Sequence, residues 1–149
     1  MIQKVFYIFI TLFLAFLFIS TNSLCWAQTT PIGITQISDL SFGISAPGDP
    51  QMIISPGTSE TPQNASFLIT GEALTSYSIS LPRSIFMTLI GGNTKIKVDQ
   101  FTSFPAEGGN GLLDGSGKQY LYVGARRAAL NNNTVSGNYV GTFSVDVVY

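Results

Sequence analysis

The sequence predicts an all-β domain folded as a two-sheet antiparallel sandwich of seven to nine short strands. Three observations lead there. Beyond the first thirty or so residues, apolar positions recur every second residue, the period of a strand with one buried face, and no extended 3.6-residue period is present. Pro, Gly, Asn and Asp interrupt that pattern at regular intervals, as turns do. Charged residues make up only 10% of the chain while it holds 15 glycines and 11 phenylalanines, a composition that suits many strands joined by tight links. A small barrel is the alternative, because period alone does not say whether a sheet closes on itself.

The elements follow in order. Ile32, Ile34, Leu40 and Phe42 share one parity and mark a first strand, with a jog near Ile37. "SAPGDP" breaks it, and "QMIIS" is a short second strand closed by Pro56 and Gly57. "ASFLITGE" sets Phe67 and Ile69 in phase, and "SYSISLP" turns Tyr77, Ile79 and Leu81 inward until Pro82 stops it. "IFMTLI" and "KIKVDQF" flank "GGNT" and read as a hairpin. "PAEGGNGLLDGSG" is the longest glycine-rich stretch and is expected as a loop. "KQYLYVGA" is apolar on both faces, as a central strand is. "RRAALNNNTVSG" leads as a loop to a final strand in which Gly137, Tyr139, Gly141, Phe143, Val145, Val147 and Tyr149 fall on one parity. That strand is expected to be tied into a sheet, since a free apolar strand is an edge prone to pairing with other chains.

Residues 1–27 read as a secretory signal peptide. Lys4 supplies the positive start, and the uncharged run from Val5 to Ile19 is shorter than the roughly 20 residues of a spanning helix. Cys25 and Ala27 are small residues where a signal peptidase inspects the chain. Cleavage after Ala27 leaves residues 28–149 as one domain with no membrane span, exported to the periplasm, the cell surface or the medium. Lipidation at Cys25 is the competing reading, although Leu24 is bulky where lipoprotein signals carry a small residue. An uncleaved signal anchor is a third.

Residues 28–149 contain no histidine and no cysteine, with six cations against eight carboxylates. That excludes histidine-based nucleophile arrangements, thiolate metal sites and the clustered basic surface that nucleic acid requires. Carboxylates remain as candidate acids or calcium ligands: Asp99, Glu107, Asp114 and Asp146. Asp99 and Asp146 lie on polar parities and are expected at the surface, and Asp114, just before a glycine, is expected to cap a turn. No catalytic residue, cofactor or metal is therefore assigned. Arg126 and Arg127 are the only adjacent basic pair, suited to an anion but expected to solvate a loop. Asn64 and Asn132 begin glycosylation sequons. Tyr77, Tyr120 and Tyr122 are candidates for lining a sugar site, although aromatic residues in strands more often build core.

The ordered pieces "LSFG", "FLITGE", "YSISLP", "VDQFTS", "LDGSGKQYLYVGA" and "GNYVGTFSVDVVY" resemble the bacterial secreted family filed as domain of unknown function 4402. The resemblance covers nearly all of residues 28–149. It implies an immunoglobulin-like sandwich, related in kind to pilin and spore-coat U-type subunits, and brings no catalytic residues. Gly137 and Tyr149 are spaced similarly to the glycine and tyrosine of a pilin's closing strand, which implies an assembly strand comprising Gly137, Tyr139, Phe143, Val145, Val147 and Tyr149. Two departures count against polymerisation by donated strand: Tyr149 is not penultimate, and only Gln28 to Pro31 precede the first strand unless Ile32 to Phe42 is itself donated. The expected function is a secreted or cell-surface structural or adhesive protein of fimbrial type, without catalysis. Its expected partners are itself, other surface subunits or a periplasmic chaperone. The alternative is a secreted carbohydrate-binding module using Tyr120, Tyr122 or the loop from Glu107 to Asp114.

Overall fold

The computed structural model describes residues 30–149, so the signal peptide, Cys25 and the first residues after Ala27 lie outside the described residues. Among the described residues there are ten strands: β1 (Gly33–Ser38), β2 (Met52–Ile53), β3 (Ala65–Thr70), β4 (Ser76–Ser80), β5 (Ser84–Leu89), β6 (Lys95–Phe104), β7 (Gly108–Leu112), β8 (Lys118–Arg127), β9 (Tyr139–Val140) and β10 (Asp146–Val148). All pairings are antiparallel. A seven-stranded sheet runs β1-β3-β8-β6-β5-β9 with β2 also on β8, and a three-stranded sheet runs β10-β4-β7. Both sheets have free ends, so the barrel alternative is excluded. Among the described residues no helix is long and apolar enough to cross a membrane.

The two-residue period decides what faces inward. On β8, Leu121, Val123 and Ala125 are buried while Tyr120 is half-exposed on the other face. They meet Phe67 and Ile69 of β3, Val98 of β6, and Tyr77 and Ile79 of β4 in one core. As expected of a central strand, β8 is paired on both sides, to β3 and to β6. Strand β6 carries one extra residue relative to β8 between Asp99 and Thr102, with Gln100 at φ 51°. That bulge resets the phase, so Val98 and Phe101 both reach the core. A second shift, between Gln36 and Ser38, is the expected jog at Ile37. The β5–β6 hairpin closes over "GGNT" with Thr88 opposite Lys95.

Four expectations are corrected. Part of the glycine-rich stretch forms β7 rather than loop: Gly111 lies opposite Tyr77, and a side chain there would strike the tyrosine ring. A poor strand former is kept in the ladder because only glycine leaves room for a buried aromatic. The closing segment is not one strand. It pairs with β5 as β9, crosses between sheets over 141–145, and pairs with β4 as β10. Arg126 and Arg127 end β8 instead of starting a loop, and Arg127 is 4% exposed. The first strand, expected to carry Leu40 and Phe42, ends at Ser38, and those two residues follow it outside both sheets.

The crossing segment is anchored by Phe143, which stands edge-on to Phe67 at 6.3 Å and packs against Phe101 at 5.1 Å. Each such aromatic pair is worth about 0.5–1.5 kcal/mol beyond burial.

A groove between the closing segment and residues 39–47

Residues 39–47 leave β1 and join neither sheet; Ser41 N–H donates to the Gln63 carbonyl at 2.8 Å, while Phe42 turns into the core. Opposite them runs the closing segment. Gly141 comes so close to β5 that a Cβ would lie 2.8 Å from the Phe86 carbonyl oxygen. A groove separates the two walls. Its larger part has a volume of about 500 Å³ and its neighbour about 280 Å³, and Leu40, Phe42, Met87, Tyr139 and Val140 line both.

The groove is apolar on its floor, where Met87, Ile85, Ile96 and Val98 of the hairpin face it, and polar at its mouth, with Ser41, Ser45, Thr134 and Asn138. Strand β9, whose Tyr139 and Val140 line the groove, ends the large sheet and so has one edge without a strand partner. Such a cleft, with unpaired backbone along its border, fits an extended chain: ladder hydrogen bonds hold the main chain and alternate side chains enter the apolar floor. Arg127 enters from β8, its Nη1 donating to the Ala128 carbonyl at 2.9 Å and its Nη2 to the Pro50 carbonyl at 3.1 Å.

Of the predicted assembly strand, Gly137, Tyr139 and Phe143 line the groove. Val145 and Val147 pack on the core, and Tyr149 is fastened at the far end to Thr30 and Glu72. Gly137 has φ 151°, a conformation that residues with a side chain rarely adopt, and lies against the tip of Leu89.

The carboxylates are dispersed. Asp99, expected at a solvated surface, is largely enclosed: both its oxygens accept from Arg126, at 2.8 and 3.0 Å, and Lys97 lies at 3.1 Å. Those hydrogen bonds hold its carboxyl at about pKa 2. Asp114 caps its turn, Oδ1 accepting from the Ser116 amide and hydroxyl and from the Lys118 amide, which lowers its pKa. Glu107 accepts from the Leu81 amide at 3.1 Å, and Asp146 is exposed on β10. Among the described residues no three acidic, histidine or cysteine side chains gather where a metal ion could be held.

The other candidates separate as well. Tyr77 is core: its hydroxyl donates to Gln119 Oε1 at 2.7 Å, and burial pushes its pKa up to about 12. Tyr120 and Tyr122 remain on the outer face of the large sheet, stacked at 6.4 Å with planes 7° apart. Asn64 is fully buried, donating to the Pro56 and Ser59 carbonyls at 2.6 and 2.9 Å and accepting from the Thr61 amide, so that sequon is closed to glycosylation; Asn132 is exposed. Sequence reasoning missed Arg127 as a groove residue. Its odd parity, shared with Leu121, Val123 and Ala125, was the available signal.

The family model described as Domain of unknown function (DUF4402) matches residues 32–149. No curated protein and no solved structure matches the chain.

Proposed function

For this chain, which belongs to the DUF4402 family, we propose a structural role outside the cytoplasm: a non-catalytic surface or fimbrial-type subunit whose groove accepts a β-strand from a partner chain. The observation that carries it is the groove itself, open between residues 39–47 and 137–143, with the apolar side chains of the hairpin on one side and the edge strand β9 along it. A donated strand gains two kinds of contact there, main-chain bonds to an unpaired edge and apolar side chains on Met87, Ile85 and Val98. The export signal read at residues 1–27 and the absence of histidine and cysteine from residues 28–149 agree with a role that rests on assembly.

The test is a titration of the purified protein with capped, extended peptides of alternating valine and threonine, followed by melting temperature and by hydrogen exchange at 139–147. Binding that raises the melting temperature and protects those amides supports the reading. A melt unchanged at millimolar peptide, with the protein monomeric at every concentration, removes it.

A second reading, a carbohydrate-binding module, draws on the stacked pair Tyr120 and Tyr122, of which Tyr120 is half-exposed, since pyranose rings stack on aromatic faces. A glycan array that is blank for the native protein, or unaltered by Tyr120→Ala, eliminates it.

A further inference from the structure

Arg127 is an unusual residue to find in the wall of an apolar groove. It is 96% removed from solvent, on the inward parity of β8 opposite Val98 and Met52. Two backbone carbonyls satisfy Nη1 and Nη2, while Nε is buried with no hydrogen-bond partner. Among the described residues the ion pairs are those of Asp99 with Lys97 and Arg126, and none reaches Arg127. The neighbouring carboxylates are engaged elsewhere. Asp49 accepts from the Ala46 amide at 2.7 Å, and Asp39, on the wall of the smaller stretch, accepts from Gln36 Nε2 at 2.6 Å. A buried cation without a counter-charge is costly, and a carboxylate brought to it forms a charge-assisted hydrogen bond of the strong kind.

We propose that Arg127 selects the occupant of the groove: an extended apolar peptide strand carrying an acidic side chain at the position that passes Arg127. This rests on the strand-accepting reading above and adds chemical identity and register to it. Charge complementarity also separates candidate donors. The chain's own N-terminal region, residues 1–38, contains no aspartate or glutamate, so a second copy donating its β1 region leaves Arg127 unmatched. That excludes the β1 region of a second copy, and the occupant assigned to the groove is an acidic strand from a different protein.

The experiment uses capped nine-residue peptides of alternating valine and threonine, with a single glutamate walked through the valine positions and each compared with its glutamine isostere. At one register the glutamate peptide binds the native protein about tenfold or more tightly than its isostere, and Arg127→Gln abolishes that preference while still binding both peptides. On the native protein alone, the preference fades as pH falls below about 4, where the peptide carboxyl takes up a proton; this readout stands even if Arg127→Gln fails to fold. Equal binding of both peptides at every register overturns the role of Arg127 and leaves the groove reading intact, as does a preference that persists at low pH. Binding of neither peptide overturns the groove reading and this inference with it. A fatty carboxylate such as laurate that stabilises the protein when no peptide does also overturns it, in favour of a small amphiphile.

Discussion

Tyr149 donates its hydroxyl to the carbonyl of Thr30 at 2.7 Å, across 119 residues of sequence, and accepts the Glu72 amide on the same oxygen at 2.6 Å. One phenol thus joins the start of the described chain, the β3–β4 loop and the closing segment. Glu72 completes the arrangement by accepting from the Thr30 amide at 3.0 Å. Gly71 lies directly beneath the phenol, where any Cβ would collide with it. Tyr149→Phe keeps the ring and loses both hydrogen bonds, so it is expected to cost about 1 kcal/mol, or roughly 4 °C in melting temperature. Faster exchange of the Glu72 amide localises the effect.

Phe143 holds the crossing between sheets. Phe143→Ala removes its contacts with Phe67 and Phe101 and is expected to destabilise the fold by about 2–4 kcal/mol, measured by urea unfolding. Deleting residues 137–149 removes β9, β10 and this anchor together, and the expected product is insoluble. A soluble truncate with a cooperative melt contradicts the packing described.

The Asp99–Arg126 pair predicts an acid limb in stability. The Asp99 carboxyl titrates at about 2 in the folded chain against an ordinary 3.8, because Arg126 and Lys97 bond its charged form. Its contribution is complete above the ordinary value and is lost as pH falls toward 2. Asp99→Asn is expected to lower stability at neutral pH and to flatten that limb, as read from denaturation midpoints between pH 2 and pH 6.

Tyr77 predicts the opposite limb. Burial raises its folded pKa from 10.0 to about 12, so the neutral phenol stabilises the fold below the ordinary value and the benefit drains away as pH rises through the folded one. Tyr77→Phe leaves Gln119 Oε1 with the Leu112 amide alone and is expected to cost about 1 kcal/mol at pH 7. The same variant loses the native alkaline transition, which melts from pH 8 upward check.

Asn64 acts as a spacer between two carbonyls and an amide. Asn64→Asp presents a carboxylate to the Pro56 and Ser59 carbonyls and is expected to destabilise more than Asn64→Ala, itself about 1–3 kcal/mol. In a glycosylating host, mass spectrometry is expected to find Asn64 unmodified.

By itself the sequence determined the class of the fold, the β5–β6 hairpin, the interruption at Ile37, the central place of β8 and the turn cap at Asp114. Each depends on neighbours a few residues apart, or on an alternation that tells inside from outside. Tertiary structure alone decided that β7 is a strand, that the closing segment divides between two sheets, that Asn64 is sealed and that Arg127 stands in a groove. Parity states which way a side chain points but not which sheet receives its strand. Gly111 is a strand residue only because the ring of Tyr77 arrives from β4, and Arg127 borders a cleft only because residues 39–47 stay off both sheets. Those arrangements arise from contacts distant in sequence, where local pattern carries no record of the partner.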